Sequence, residues 1–492
     1  MPHNLPSAVQ ASNVCKPAGI NCQLLRCSLN FYCFTLFQLS QSRKNQKVII
    51  MKRKRDRIIS GFSKLLKEEK IKLVAEYFEN PGEVISLLKS FWHSDQEQQK
   101  LLDEFSENTI TNFIIPYGVA PNVVINGQTY LVPMVIEESS VVAAASAASK
   151  FWSERGGFRS EVIDTKKVGQ VHFSWTGRAA LLHGLMPELR SFLRASVSHI
   201  TVNMEKRGGG VLDIELKDFT REIEHYYQLL VTFETKDSMG ANFINSVLEE
   251  FAQALKVFMA NRLELSDEER QVEIIMSILS NYTPECLVRT WVECPLSQLD
   301  NVDESLSGEA FARKFEKAVR IAQVDVYRAT THNKGIYNGI DAVAIATGND
   351  FRAIEAAGHS YASHDGQYRS LSRVEIADGM FRFILEVPMA LGTVGGLTSL
   401  HPLAKHSLDM LGKPSARELM MIASAMGLAN NWSAVRSLTT KGIQAGHMKM
   451  HLFNILNHFK ATDEEKAAAA EYFKDQKVSF AGVAQYLTTI RK

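Results

Sequence analysis

The sequence predicts an α+β protein: a large helix-rich domain interrupted by a smaller sandwich of strands and helices. Three observations carry that reading. Between residues 168 and 280, strand-like and helix-like stretches alternate in the order β-α-β-β-α-β. A long apolar stripe at helical spacing starts at Ala241. Ala- and Gly-rich helical stretches, "VVAAASAASK" and "IASAMGLANN", lie on either side of the alternation.

Taken in order, Val168 to Ser174 reads as a strand with Val171 and Phe173 on one face, followed by a helix from about Gly177 to Ser196. "GGGVLDIELK" and "HYYQLLVTFET" read as strands, the second alternating Leu229, Val231 and Phe233. Ile244, Leu248, Phe251, Leu255 and Met259 then repeat at helical spacing, and "QVEIIMSILS" closes the set as a strand. That order is the ferredoxin-like split unit. The implied organisation is discontinuous. Residues 51-165 and 283-440 form the large domain, 166-282 the inserted small domain, and 441-492 a C-terminal segment.

At 492 residues the chain is long enough for two or three domains with cores of their own. With 45% hydrophobic and 22% charged residues it is an ordinary globular composition. A formal net charge of +1 gives no argument for a nucleic-acid partner. Four of the six cysteines lie in the first 33 residues and none forms a CxxC pair, which places the protein in a reducing cytoplasm. Residues 1-50 show no clear period and no apolar run of the roughly 20 residues that a membrane span needs. Met51 opens a basic tip and an amphipathic helix, so the native start is expected there, with 1-50 an unstructured upstream extension.

Several stretches could carry chemistry. "KDSMGANFIN", 236 to 245, sits where a strand gives way to the long helix; it is either a capped start, with Asp237 or Ser238 as the cap, or an anion site on free N–H groups. "GGG" at 208 to 210 is a turn or an anion nest, and "LGTVGGLTSLHPLAKHSL" allows close approach of a backbone, a ligand or a helix. Glu137 and Glu138 end an apolar strand before an Ala/Ser helix, where the pair sits beside a cap from Ser139 or Ser140 or offers a carboxyl with a raised pKa as a proton donor; on the residues alone the cap is favoured. His447 and His451 are four apart, but the HExxH glutamate is missing, so no metal is expected. The run "ATTHNKGIYNGIDAVAIATGND", 329 to 350, begins near Lys334 and ends on Asp350. On spacing alone Lys334 is a surface lysine before a helix, or an electrophile for a carbonyl oxygen.

These stretches coincide with one family. "VPMVIEESSVVAAAS", "RGGG", "ETKDSMGANFIN", "AQVDVYRATTHNKGIYNGIDAVAIATGND", "YASHDGQYRS", "GTVGGLTSLHPLAK", "GLANNWSAVRSL" and "GIQAGHMKMH" occur in family order from about residue 60 onward. The chain resembles the class II (bacterial-type) 3-hydroxy-3-methylglutaryl-coenzyme A reductases. The resemblance implies conversion of HMG-CoA to mevalonate and CoA by two hydride transfers from NAD(P)H. It implies Lys334 as electrophile, Glu138 as proton donor to the aldehyde oxygen, Asp350 bonded between them, and His447 as acid for the CoA thiolate. Arg328 is implied as holder of the HMG carboxylate, with Ser140 and Asn338 beside it. Asp237, Met239, Gly240 and Asn242 are implied to line the dinucleotide on the small domain. Residues 441-492 are implied as a flap, and a homodimer, commonly within a hexamer, as the active form, with no membrane anchor. Ser139, Asn430 and Ser238 depart from the family's usual proline, glutamine and alanine. Lys206 and Arg207 tilt cofactor choice toward NADPH over NADH. The readings in competition are a non-catalytic CoA- or dinucleotide-binding protein that kept the fold, and a metal hydrolase using His447 and His451. On the implied mechanism, Lys334 and Asp350 should lie within hydrogen-bond reach of each other.

Overall fold

The computed structural model describes residues 58–440, 442, 452–474, 476 and 478–491. The chain divides into two compact units, 1–114 and 115–492. In the first, three short helices, α1 (Lys67–Ala75), α2 (Pro81–Ser90) and α3 (Gln96–Asp103), are joined by brief turns. Asp95 caps α3 by accepting from the N–H groups of Glu97 and Gln98, and Lys67 pairs with Asp103 at 2.7 Å.

The second unit opens with a hairpin, β1 (Tyr117–Ile125) and β2 (Gln128–Val135). Its turn is Asn126-Gly127 with φ of 49° and 86°, the left-handed pair that matches the twist of antiparallel strands. Then follow α4 (Ser139–Ser153), β3 (Arg159–Val162), β4 (Lys167–Ser174), α5 (Ala179–Ser196), α6 (Ser198–Glu205), β5 (Gly210–Asp218), β6 (Tyr226–Glu234), α7 (Ala241–Ala260) and β7 (Glu273–Ser280). The strands pair antiparallel in the order β5-β6-β4-β7. Numbered within the segment that is 2-3-1-4, the arrangement expected of the β-α-β-β-α-β order. Val171, Phe173, Leu229, Val231 and Phe233 bury one face of this sheet against Leu189, Leu193, Leu248, Phe251 and Leu255 of α5 and α7. The α+β reading holds.

The chain continues through β8 (Leu287–Pro295), α8 (Gly308–Val324), α9 (Val326–Ala346), α10 (Phe351–Tyr361), β9 (Ser372–Ala377), β10 (Met380–Pro388), α11 (Pro402–Met410) and α12 (Ala416–Thr439). A second antiparallel sheet, β3-β8-β10-β9, is assembled from segments far apart in sequence. Its core meets α8 and α12 in an aromatic cluster, where Trp432 lies 4.9 Å from both Trp152 and Phe315. Beyond it, residues 452–458, α13 (Asp463–Tyr472) and α14 (Phe480–Ile490) enclose a small separate core of Leu456, Ala469, Val483 and Leu487. No helix of the described residues is long and apolar enough to cross a membrane.

Candidate active site

Lys334 does not precede a helix but projects from the middle of one. Its helix, α9, is capped by Asp325, which accepts from the N–H groups of Tyr327 and Arg328. Its rotation is fixed by the two residues before the lysine. Asn333 donates to the Arg369 carbonyl (2.8 Å) and accepts from Leu371 N–H (3.0 Å). His332 Nε2 lies 2.7 Å from Ser372 Oγ, which donates to Asn431 Oδ1 at 2.8 Å. Burial, with the Arg328 guanidinium nearby, pushes the His332 imidazole down to about 3, so it sits in the core as a neutral ring. With positions 332 and 333 committed inward, Lys334 faces outward, 63% exposed at its side chain.

The hairpin supplies the partner. β2 packs on α9 and runs into the start of α4, so its end delivers Glu138 to the lysine. Lys334 Nζ and Glu138 Oε2 are 3.5 Å apart. Glu138 is the N-cap residue of α4 and its own side chain makes no cap bond; instead Ser140 Oγ donates to Glu138 Oε1. Ser140, expected as a cap, instead orients the carboxylate at the helix's positive end, and the Ser139 side chain lies outside the described ones. Arg328 lies less than two turns before Lys334, half-buried, and burial draws its guanidinium below the ordinary arginine range. Asn338 is half-buried one turn after Lys334 on the same face.

Asp350 is not in this group. It caps α10, accepting from the N–H groups of Arg352 and Ala353, and pairs with the Arg352 guanidinium at 3.0 Å. Burial opposes the charge, but those hydrogen bonds hold the carboxyl below its usual range. The expected Lys334–Asp350 contact within one chain is therefore corrected, for a geometric reason. Asp350 lies beyond the end of the helix from whose middle Lys334 projects, and the run from Lys334 to that end at Ala346 rises about 18 Å at 1.5 Å per residue. His447 and His451 lie outside the described residues. Among the described residues, no three His, Cys, Asp or Glu side chains group to hold a metal ion.

A protein with this cation–carboxylate pair on this scaffold has known relatives. The family model described as hydroxymethylglutaryl-coenzyme A reductase matches residues 67–452. The chain belongs to the hydroxymethylglutaryl-coenzyme A reductase family. It is 35% identical to the 3-hydroxy-3-methylglutaryl-coenzyme A reductase of Archaeoglobus fulgidus, covering 92% of this chain and 99% of that protein. It is 31% identical to the probable reductase of Borreliella burgdorferi, over 82% of this chain and 89% of that one. Among solved structures it resembles the Streptococcus pneumoniae reductase with a TM-score of 0.65 and 35% identity, covering 88% of this chain and 99% of that chain. A class II structure from the same organism, described as bound to NADPH in open conformations, matches with a TM-score of 0.64 and 37% identity over 77% and 99%.

The reductase family uses NAD(P)H, and the small sheet offers a place for it. Neither Asp237 nor Ser238 caps α7. The N-cap is Gly240, with φ of 90°, no side-chain cap bond and no acidic residue in the first turn. The first N–H groups of the helix, including that of Asn242, are left for an anion, which fits a pyrophosphate. Asp237 is spent elsewhere: its Oδ1 accepts from Ala416 N–H at 2.8 Å, tying this strap to the start of α12. The glycine run after β10 meets the strap from the other side. Thr393 N–H donates to the Asp237 carbonyl at 2.8 Å, and Gly392 N–H to Asn349 Oδ1 at 2.8 Å. The choice left open for these glycines falls to backbone approach, since a Cβ on Gly392 would stand 2.5 Å from Met239 N. Beside this junction lies a cavity of about 710 Å³ lined by Asp237, Thr393, Lys405, Lys413, Ser415 and Glu418 among others.

The tie that sequence reasoning missed is Asn349, whose only signal was its place in the Gly348-Asn349-Asp350 turn. Gly392→Ala is expected to push Met239 and the strap outward at a cost of ~1–3 kcal/mol. The KM for NAD(P)H should rise on the order of tenfold or more while the KM for HMG-CoA holds. Steady-state kinetics check this, and an unchanged cofactor KM counts against the strap.

"GGG" is a turn: Gly208 (φ 80°) closes α6 by donating to the Glu205 carbonyl, and β5 starts at Gly210. A Cβ on Gly208 would lie 3.7 Å from Lys236 Nζ, so Lys236 stands over the turn that follows Lys206 and Arg207.

Proposed function

We propose that this chain reduces the thioester of HMG-CoA to the primary alcohol of mevalonate, releasing CoA. Two hydrides and two protons are consumed, and the thioester carbon passes through a hemithioacetal and an aldehyde. The observation that carries the reading is the Lys334–Glu138 pair, 3.5 Å apart at the meeting of α9 and α4. Negative charge appears on the same oxygen in each reduction, and a fixed ammonium within reach stabilises both alkoxides. Lys334 is assigned that role. Glu138, paired with the lysine and held by Ser140, is assigned delivery of the proton to the aldehyde oxygen. Arg328 binds the free HMG carboxylate, for which a half-buried guanidinium is suited, with Ser140 and Asn338 as polar neighbours. His447 protonates the departing thiolate, a task matched to an imidazole near pH 7.

NAD(P)H supplies the hydrides when bound. The free N–H groups after Gly240, with Met239 and Asn242, hold the pyrophosphate, and Asp237 holds the strap they stand on. NADPH is the preferred form, because Lys206, Arg207 and Lys236 gather three cations at one turn, where a 2′-phosphate gains most. Lys236→Glu should therefore raise the KM for NADPH about tenfold more than that for NADH, ~1.4 kcal/mol of discrimination; an equal effect on both would count against this assignment.

The large domain is assigned to 51-165 and 283-440, the dinucleotide-binding domain to 166-282 and the flap to 441-492. The active form is assigned as a homodimer, alone or within a hexamer, in the cytoplasm. The helical rise that separates Lys334 from Asp350 within one chain supports the dimer, in which Asp350 is assigned to bridge Lys334 and Glu138 from the second chain. The deciding assay follows HMG-CoA-dependent oxidation of NADPH and of NADH, and mevalonate- and CoA-dependent reduction of NADP⁺ and NAD⁺. No substrate-dependent turnover with either cofactor would refute the reading.

A further inference from the structure

The strap assigned to the dinucleotide and the turn that carries Asp350 meet through the side chain of Asn349. Helix α9 ends in a closed turn. The Asn349 N–H donates to the Ala344 carbonyl at 2.8 Å and the Gly348 N–H to the Ile345 carbonyl at 3.1 Å, with Gly348 left-handed at φ 70°. A Cβ on Gly348 would also stand 3.0 Å from Thr398 N, so the turn is packed as well as closed. Asp350 follows at once as the N-cap of α10. Asn349 thus sits between two capped helix ends, with no loop to absorb a movement.

The amide of Asn349 is held at both ends. Nδ2 donates to Thr347 Oγ1 at 3.0 Å, and that buried hydroxyl donates to the Val343 carbonyl at 2.8 Å. Oδ1 accepts from Gly392 N–H at 2.8 Å. A flipped amide would set a donor against that N–H, so the orientation is fixed. Gly392 is buried, and without Asn349 its N–H would lose its acceptor away from water. One residue on, Thr393 N–H donates to the Asp237 carbonyl at 2.8 Å, and the Asp237 carboxylate accepts from Ala416 N–H. The strap between is stiff, since Thr235, itself buried, donates from Oγ1 to the Ser238 carbonyl at 2.6 Å. From Asp237 to Asp350 the path therefore runs through the Thr393 and Gly392 hydrogen bonds and the peptides beside them.

We propose that Asn349 is a positioning residue for the reduction: it couples the strap that grips the cofactor to the turn that presents Asp350. The proposal rests on the roles assigned above to Asp350 and to the strap. Asn349 touches neither substrate nor cofactor; it acts through Gly392 on one side and through Asp350 on the other. A bound dinucleotide fixes the strap, a fixed strap holds Gly392, and Gly392 holds the turn. The coupling is reciprocal, so a loosened turn weakens the grip on the cofactor.

The test is Asn349→Ala in the full chain, with NADPH and NADH affinity read directly by fluorescence and kcat read with HMG-CoA. Cofactor affinity should weaken about tenfold and kcat should fall about tenfold, while the KM for HMG-CoA holds. Asn349→Asp keeps the acceptor for Gly392 N–H and should recover most of the cofactor affinity. In an Asp350→Ala background, Asn349→Ala should cost kcat little more, because it acts through Asp350, yet cofactor affinity should still fall. Unchanged affinity, unchanged kcat, or a kcat loss that multiplies in full with that of Asp350→Ala would each overturn the proposal. A lower Tm with affinity and kcat both intact would make Asn349 a brace for the fold alone, and would overturn it too. Should Asn349→Ala not fold, Thr347→Val, which frees the far end of the amide, carries the same readings at smaller size. Affinity is read without turnover. A chain that binds dinucleotide but never consumes HMG-CoA therefore sinks the reductase reading, whereas unchanged affinity in Asn349→Ala sinks this one.

Discussion

Lys334→Ala should lower kcat for HMG-CoA reduction by about 10³-fold, ~4 kcal/mol of transition-state stabilisation. HMG-CoA should still bind, because its carboxylate is assigned to Arg328 and its CoA portion makes contacts of its own. The size follows from placement. Lys334 stands 3.5 Å from the Glu138 carboxylate, so the ammonium is held at one end by an anion and presents its other protons to substrate. The alkoxide forms twice per turnover, and without the cation it forms unneutralised both times. Lys334→Arg keeps the charge but spreads it over a planar fork on a different stem, and should recover only part of the loss. Single-turnover kinetics with a separate binding measurement distinguish the two effects. Near-normal kcat in Lys334→Ala would remove the lysine from the mechanism; a loss appearing wholly as HMG-CoA affinity would make it a binding residue instead.

How much of this could be read from sequence depends on how local each feature is. The small sandwich was legible because its period-2 strands and 3.6-period helices bury one face each, and both signals are local. The second sheet was not, since β3 pairs with β8 more than a hundred positions later and β8 with β10 about ninety later. Nothing in "RSEV" announces those partners.

The site divides the same way. Glu138 and Lys334 were legible as residues, but their meeting depends on β2 packing against α9. Asp237 was legible as part of the strap, but the bond its carboxylate accepts from Ala416 N–H, 179 positions away, was not. The missing separation of Lys334 from Asp350 was available by counting: an unbroken helical run fixes its ends as far apart as its length. A buried apolar segment between two charged residues was a measure of distance, not of contact.

That distance has a direct consequence for activity. A preparation containing Lys334→Ala and Asp350→Ala chains together should regain activity that neither has alone. Helix α9 cannot bend to close the gap. Gly339 is packed so closely on α12 that a Cβ there would stand 2.2 Å from the Met426 carbonyl oxygen, and His332 and Asn333 anchor the helix immediately before Lys334. If both groups act on one substrate, they come from two chains. In a two-fold dimer each site then takes Lys334 and Glu138 from one chain and Asp350 from the other. A heterodimer of the two variants has one site with both lesions and one with neither. Heterodimers isolated through two different tags should therefore show up to about half the turnover of the unsubstituted dimer. The parent variants should each fall on the order of 10²–10³-fold. If one chain supplied both groups, every site in the heterodimer would lack one of them, and mixing would restore nothing. Activity no greater than that of the parents, in heterodimers shown to be intact, would sink the shared site and with it the bridging role that the family resemblance implies for Asp350.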